Sequence, residues 1–143
     1  TAPIEDLELP HGALLVPLDG SAFAEAMLPR AATFANAIGL TLELVTVCSE
    51  HAQDDSRHYL ERTAASLTPV PSQPVTVTVL VESSAARAIV SHAIHTHPAV
   101  IAMATHGRSG IVRLVLGSVT DNVLKGVDRP MLVYRPESDA PAS

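Results

Sequence analysis

The stretch MATHGRSGIVRLVLGS (103–118) begins like the end of a buried strand and breaks into a loop at Thr105. It closes on Gly117-Ser118, where a helix can start. Strand, glycine-punctuated loop and helix make up half of a β-α-β unit. Just upstream, AVIAMA (99–104) is a wholly apolar strand. Downstream, a helix is expected from Ser118 to about Lys125 with Gly126 as its stop, followed by MLVYR (131–135) as a last strand.

The alternation repeats towards the N-terminus. ALLVPL (13–18) reads as a first strand, and Ser21 stands as the N-cap of a helix with Ala24, Met27, Leu28, Ala31, Ala35 and Ile38 on its buried face. Gly39 ends that helix, and Pro29 inside it is expected to kink it by displacing the carbonyl of Glu25. LTLELVTV (40–47) is a second strand. A polar helix from about Asp54 to Leu67 follows, weakly amphipathic through Leu60, Thr63, Ala64 and Leu67. After a proline-rich loop (68–74), VTVTVLV (75–81) is a β-branched third strand. Ser83 or Ser84 then caps a helix with Ala86, Ile89, Val90, Ala93 and His97 on one face, stopped by Pro98. Five strands separated each time by a helix make an α/β fold. Its sheet is expected to be parallel, covered on both faces and joined by right-handed crossovers. With the first strand central, the loops PLDGS and ATHGRSG both open on the crevice between strands 1 and 4, where such folds bind ligands.

Composition narrows the partners. The 143 residues suffice for one domain with a real core. Hydrophobic residues make up 47% but aromatics only 3%, so the core must be aliphatic. A formal charge of -6, from 9 basic and 15 acidic residues without a basic cluster, argues against nucleic acid and anionic membranes as partners. No apolar run is long enough to span a bilayer. TAPIEDLELPHG at the start has no basic stretch leading into an apolar one, so no signal peptide is expected there. With Cys48 the single cysteine, no internal disulfide can form, and a cytoplasmic protein is the economical expectation.

The glycine loop has two readings. Glycines let backbone N–H groups close on a phosphate, and a helix N-terminus at Gly117-Ser118 would add further donors. Alternatively, Gly107 and Gly110 only shape a turn, and Ser118 caps its helix with Asp121 in a box-like spacing. No Gly-Lys-Ser/Thr occurs, which excludes a Walker A loop, and the first strand is not followed by a dinucleotide fingerprint.

Ala104-Thr105-His106-Gly107, nine residues and then Gly117-Ser118, together with VPLDGS, VTDNVL and RPMLVY, resemble the universal stress protein family over most of the chain. The resemblance implies a five-stranded, mostly parallel Rossmann-like sheet of the adenine nucleotide alpha hydrolase type, with strand order 3-2-1-4-5 and helices on both faces. It implies an N-terminal extension (1–12), the domain itself (13–136) and a flexible tail (137–143). It also implies that ATP is bound, with ADP or AMP as alternatives. Asp19 and Pro17 would lie beside the adenosine, Val47 would meet adenine through its backbone, and Met103 and Ala104 would flank the ribose and α-phosphate. Gly107, Arg108, Gly117, Ser118 and Val119 would cradle the phosphates, bridged by Mg²⁺ or Mn²⁺ with few or no protein ligands. The last strand (Met131 to Arg135) would pair with a second subunit, giving a homodimer that regulates an unknown protein partner in a stress response. Enzymatic turnover beyond slow ATP hydrolysis or autophosphorylation is not implied.

One position departs from the family, since Ala104 stands where ATP-binding members have the first motif glycine. If that residue needs a positive φ, a Cβ there costs about 1–2 kcal/mol, or roughly tenfold in affinity. If φ is negative, the methyl group only narrows the ribose site, and its place at a strand end points to the second case. A nucleotide-free dimeric scaffold of the same fold is the alternative.

Other candidates have plainer readings. Arg108 and Arg113 are within reach of phosphates or of solvent. His92 and His95 share a helix face that His97 does not, and no metal site is expected of them. His106 reads as a loop histidine, Cys48 as a small hydrophobe, and Asp54, Asp55 and Glu61 as a solvated face. Ser118 has no evident base, so no catalytic residue is assigned. A phosphoreceiver would need a carboxylate pair where only Asp19 stands, and Glu82 and Arg135 occupy the places of its Asp and Lys. A flavodoxin would need aromatics to sandwich its flavin.

Overall fold

The computed structural model describes residues 12–104, 123 and 130–134. The elements are β1 (Ala13–Leu18), α1 (Ala22–Glu25), α2 (Leu28–Ile38), β2 (Thr41–Cys48), one 3₁₀ turn (Glu50–Ala52) and α3 (Gln53–Ala65). β3 (Val75–Val81), α4 (Ala85–Thr96), β4 (Val100–Ala104) and β5 (Met131–Tyr134) complete them. The strands lie in the order β3-β2-β1-β4-β5, and every neighbouring pair is parallel.

Strand alternation sorts the aliphatic residues into two cores. Leu14, Val16, Leu42 and Leu44 face Ala31, Ala32 and Ala35 of α2 and Leu60 of α3. On the other face, Leu15, Val45, Ile101 and Met103 meet Ile89 and Ala93 of α4 together with Val123, which is helical and fully buried. Because both faces are covered, the central strands read as nearly continuous apolar runs. Each fully buried leucine contributes about 1.5–3 kcal/mol. The alanines of α2 let that helix approach the sheet closely.

β2 breaks the apolar pattern at Glu43. Its Oε2 accepts a hydrogen bond from Thr78 Oγ1 of β3 at 2.8 Å and lies 2.8 Å from His92 Nε2 of α4. The Glu43 and His92 side chains are only 13% and 14% exposed. This polar link joins two strands and a helix within the second face.

Several expected boundaries are corrected. The helix after Ser21 is two helices, not one kinked at Pro29. Met27 N–H bonds the Ala24 carbonyl at 3.2 Å, so the first helix tightens and ends before the proline. Pro29 then lies in the first turn of α2, where its missing N–H has no helical partner to lose. Ser21 is the N-cap expected of it, accepting from Ala24 N–H. α3 ends at Ala65, where Ser66 N–H turns back to the Thr63 carbonyl; Leu67 is buried beyond its end. β2 runs one residue later than 40–47 and β4 starts at Val100. Of the two cap candidates, Ser84 caps α4, accepting from Arg87 N–H, as one of the expected alternatives. His97 is not on the helix face: it is exposed in the left-handed C-cap conformation, φ 51°, with its N–H on the Ala93 carbonyl. The expected Ser118–Lys125 helix lies outside the described residues apart from Val123, as do the tail (137–143) and the N-terminal extension up to residue 11.

Candidate functional site: a cleft at the carboxyl ends of the strands

The cleft begins with a missing hydrogen-bond donor. Ala99 N–H bonds the Ala13 carbonyl, so alternate residues of β1 from Ala13 onwards turn their backbone towards β4. Pro17 falls in that series and has no N–H to give. The β1–β4 pairing accordingly covers only Leu14↔Val100 and Leu15↔Ile101, whereas the β1–β2 pairing runs on to Leu18↔Thr46. The two strands part at the point where strand order reverses. On the paired side, Thr46 Oγ1 donates to the Leu18 carbonyl at 2.7 Å, which ties the ends of β1 and β2 together and satisfies the buried hydroxyl.

Beyond β1 the chain turns through Gly20 at φ +88°, a conformation that a side chain would strain. Asp19 Oδ1 accepts from Ser21 N–H at 2.9 Å and from Ser21 Oγ at 2.6 Å, and Ser21 Oγ accepts from Ala24 N–H at 3.0 Å. The exposed Asp19 carboxylate is thereby fixed to the start of α1, while its Oδ2 makes no hydrogen bond among the described residues. Behind the turn, Tyr59 OH on α3 donates to Glu25 Oε2 at 2.6 Å and lies on the Gly20 backbone. Burial, and then the Glu25 carboxylate, raise the Tyr59 phenol well above its ordinary range; the Gly20 and Thr63 hydrogen bonds oppose the rise.

Together these features border a cleft with about 610 Å³ of empty space, counted out to its open mouth. Its floor is made by strand ends: Pro17 and Leu18, Val45 to Val47, and Met103 with Ala104. Phe23 and Ala24 of α1 form one wall, with Ala24 against the α2–α3 core; Ala85 and Ile89 of α4 form the other, with Ile89 in the opposite core. Asp19 supplies the carboxylate in an otherwise largely apolar lining. A concave, mostly apolar surface with a few placed polar groups is the character of a small-molecule site.

Of the residues singled out in the sequence, Pro17, Asp19, Val47, Met103 and Ala104 come together in this cleft. Gly107, Arg108, Gly117, Ser118 and Val119 lie outside the described residues, as do Arg113 and His106. Ala104 has no positive φ; among described non-glycine residues only His97 does. Its methyl group therefore narrows the cleft without straining the backbone. The sequence reading missed Phe23, Thr46, Ala85 and Ile89 as cleft residues. Phe23 could have been found from its place two residues after the N-cap, at the end of the sheet where the crevice opens.

His92 is engaged with Glu43, His95 Nδ1 lies 2.8 Å from the Ser91 carbonyl, and His97 terminates α4. No group of three metal-ligating side chains occurs among the described residues. Cys48 is half-buried at the end of β2, and Asp54, Asp55 and Glu61 are exposed. Glu82 lies in a separate groove with Cys48 and Glu50, away from Asp19. No helix of the described residues is long and apolar enough to cross a membrane.

Residues 12–135 match the Universal stress protein family. The chain belongs to that family. Solved universal stress proteins share its fold. One, in complex with cAMP, is 21% identical with a TM-score of 0.71 over 90% of this chain and 100% of its own. A universal stress protein from Archaeoglobus fulgidus in complex with dAMP is 17% identical, TM-score 0.63, over 87% and 96%. A family member from Burkholderia pseudomallei is 20% identical, TM-score 0.69, over 87% and 96%. No curated protein matches the chain.

Proposed function

We propose that this universal stress protein domain binds an adenine nucleotide in the cleft and changes a protein-binding surface according to its occupancy. The reading is supported above all by one observation: five residues from three separate stretches, Pro17 and Asp19, Val47, and Met103 with Ala104, line a single apolar cleft at the switch point of the sheet. The complexes of related folds with cAMP and dAMP support the same ligand class. In this reading the base lies between the α1 and α4 walls, and the ribose meets the Oδ2 oxygen of Asp19. The phosphates leave past Ala104 towards Gly107, Arg108, Gly117, Ser118 and Val119.

The full ligand is ATP, with ADP and AMP held by the same base and ribose contacts. A Mg²⁺ or Mn²⁺ ion would accompany the triphosphate, held by phosphate oxygens and water. The domain works in the cytoplasm as a homodimer paired through β5 and acts on a protein partner rather than by turnover.

Calorimetry with AMP and with Mg-ATP tests the reading. Saturable heat with both, and tighter binding of ATP through its extra phosphates, is expected. No heat at millimolar nucleotide would remove the nucleotide and leave a dimeric scaffold of the same fold.

A further inference from the structure

We propose that Phe23 determines base recognition in the cleft, by stacking its ring on the planar base and pressing it against the aliphatic wall of α4; this rests on the nucleotide reading above. Aromatics are 3% of the chain, and Phe23 is the aromatic that lines the cleft. It is half-buried on α1, across from Ala85 and Ile89 of α4. The two helices pack on opposite faces of the sheet, so the space between these walls is a slot above the strand ends. A flat, apolar-faced group fits a slot with one aromatic and one aliphatic wall better than a sugar or a phosphate does.

Phe23 also stands on a fixed base. It follows the cap in which Ser21 holds both Asp19 Oδ1 and Ala24 N–H. The carboxylate assigned to the ribose and the ring assigned to the base thus belong to one short, hydrogen-bonded turn. Their spacing is set before the ligand arrives, which limits the ordering that binding must impose. A ring face stacks on any base but gains more from a larger one, so this wall favours purines over pyrimidines.

The test compares AMP with ribose 5-phosphate, which keeps the sugar and phosphate but lacks the base. Phe23→Ala should weaken AMP binding roughly five- to hundredfold while leaving the affinity for ribose 5-phosphate unchanged. Phe23→Trp gives the chain its single tryptophan, because the sequence has none. The emission of that variant should be quenched saturably by AMP and not by ribose 5-phosphate. If wild-type protein binds no AMP, the nucleotide reading falls and this assignment with it. If wild type binds AMP but Phe23→Ala binds it equally well, or AMP leaves the emission of the Phe23→Trp protein unchanged, the stacking role alone is overturned.

Discussion

Tyr59 joins two otherwise separate parts of the chain through one hydroxyl. It reaches from α3 to Glu25 and to the Gly20 backbone, 34 residues away for the carboxylate, and so braces the turn that carries Asp19. Tyr59→Phe should lower stability by about 1–2 kcal/mol near pH 8, because the half-buried Glu25 loses its donor. The raised phenol pKa fixes the pH dependence. The folded protein keeps a proton that the unfolded chain releases near pH 10, so this contribution is complete below that pH and falls away above it. Urea midpoints of the two proteins measured from pH 8 to 11 should converge as pH rises. A constant gap would mean that the hydroxyl contributes nothing beyond packing. None of this was legible in the sequence, since no local spacing relates Tyr59 to Glu25; Asp19 was legible because it follows a strand directly.

At the scale of elements, the α1–α2 break is a place where local reasoning chose wrongly. A proline inside an apolar 3.6-residue pattern reads as a kink, yet the first helix ends early and Pro29 enters the opening turn of the next. The two descriptions predict opposite effects of Pro29→Ala. Within a helix, the change would relieve a penalty of about 3 kcal/mol. At a first turn, it should destabilise by about 0.4–1 kcal/mol, through the freedom returned to the unfolded chain. Thermal melts decide between them. β1 also holds a proline, at its penultimate position: the pairing with β4 stops before Pro17, which has no N–H to continue it, while the pairing with β2 runs on to Leu18. The strand ladder ends there, and the cleft exists because it does. Glu43 was equally hidden, its partners Thr78 and His92 lying on other elements.

For the whole molecule, the feature that bears on assembly is the β5 edge. Among the described residues β5 is one of the two edge strands, β3 being the other, and Val133 is 43% exposed on it. An apolar strand edge left unpaired invites another strand. Groups on the α2 side border it as well: Arg30 lies 4.1 Å from the centre of the Tyr134 ring, within cation–π range. If β5 pairs with its copy, Val133→Glu places like charges near the two-fold axis. Sedimentation should then show wild-type dimer and variant monomer, with unchanged far-UV circular dichroism. A wild-type monomer at tens of micromolar would refute the β5 pairing.

The sequence by itself determined the five strands, the helices between the first four of them and the residues at the strand ends, because strand and helix periodicities, caps and turn glycines are all local signals. It also set Pro17, Asp19, Val47, Met103 and Ala104 at those ends. Only the tertiary structure decided that β1 and β4 separate beyond Leu15, that Phe23 and Ile89 face one space, and that Tyr59 and Glu43 find their partners. Those outcomes depend on which elements become neighbours across the sheet, and packing between distant segments leaves no trace in the spacing of either one.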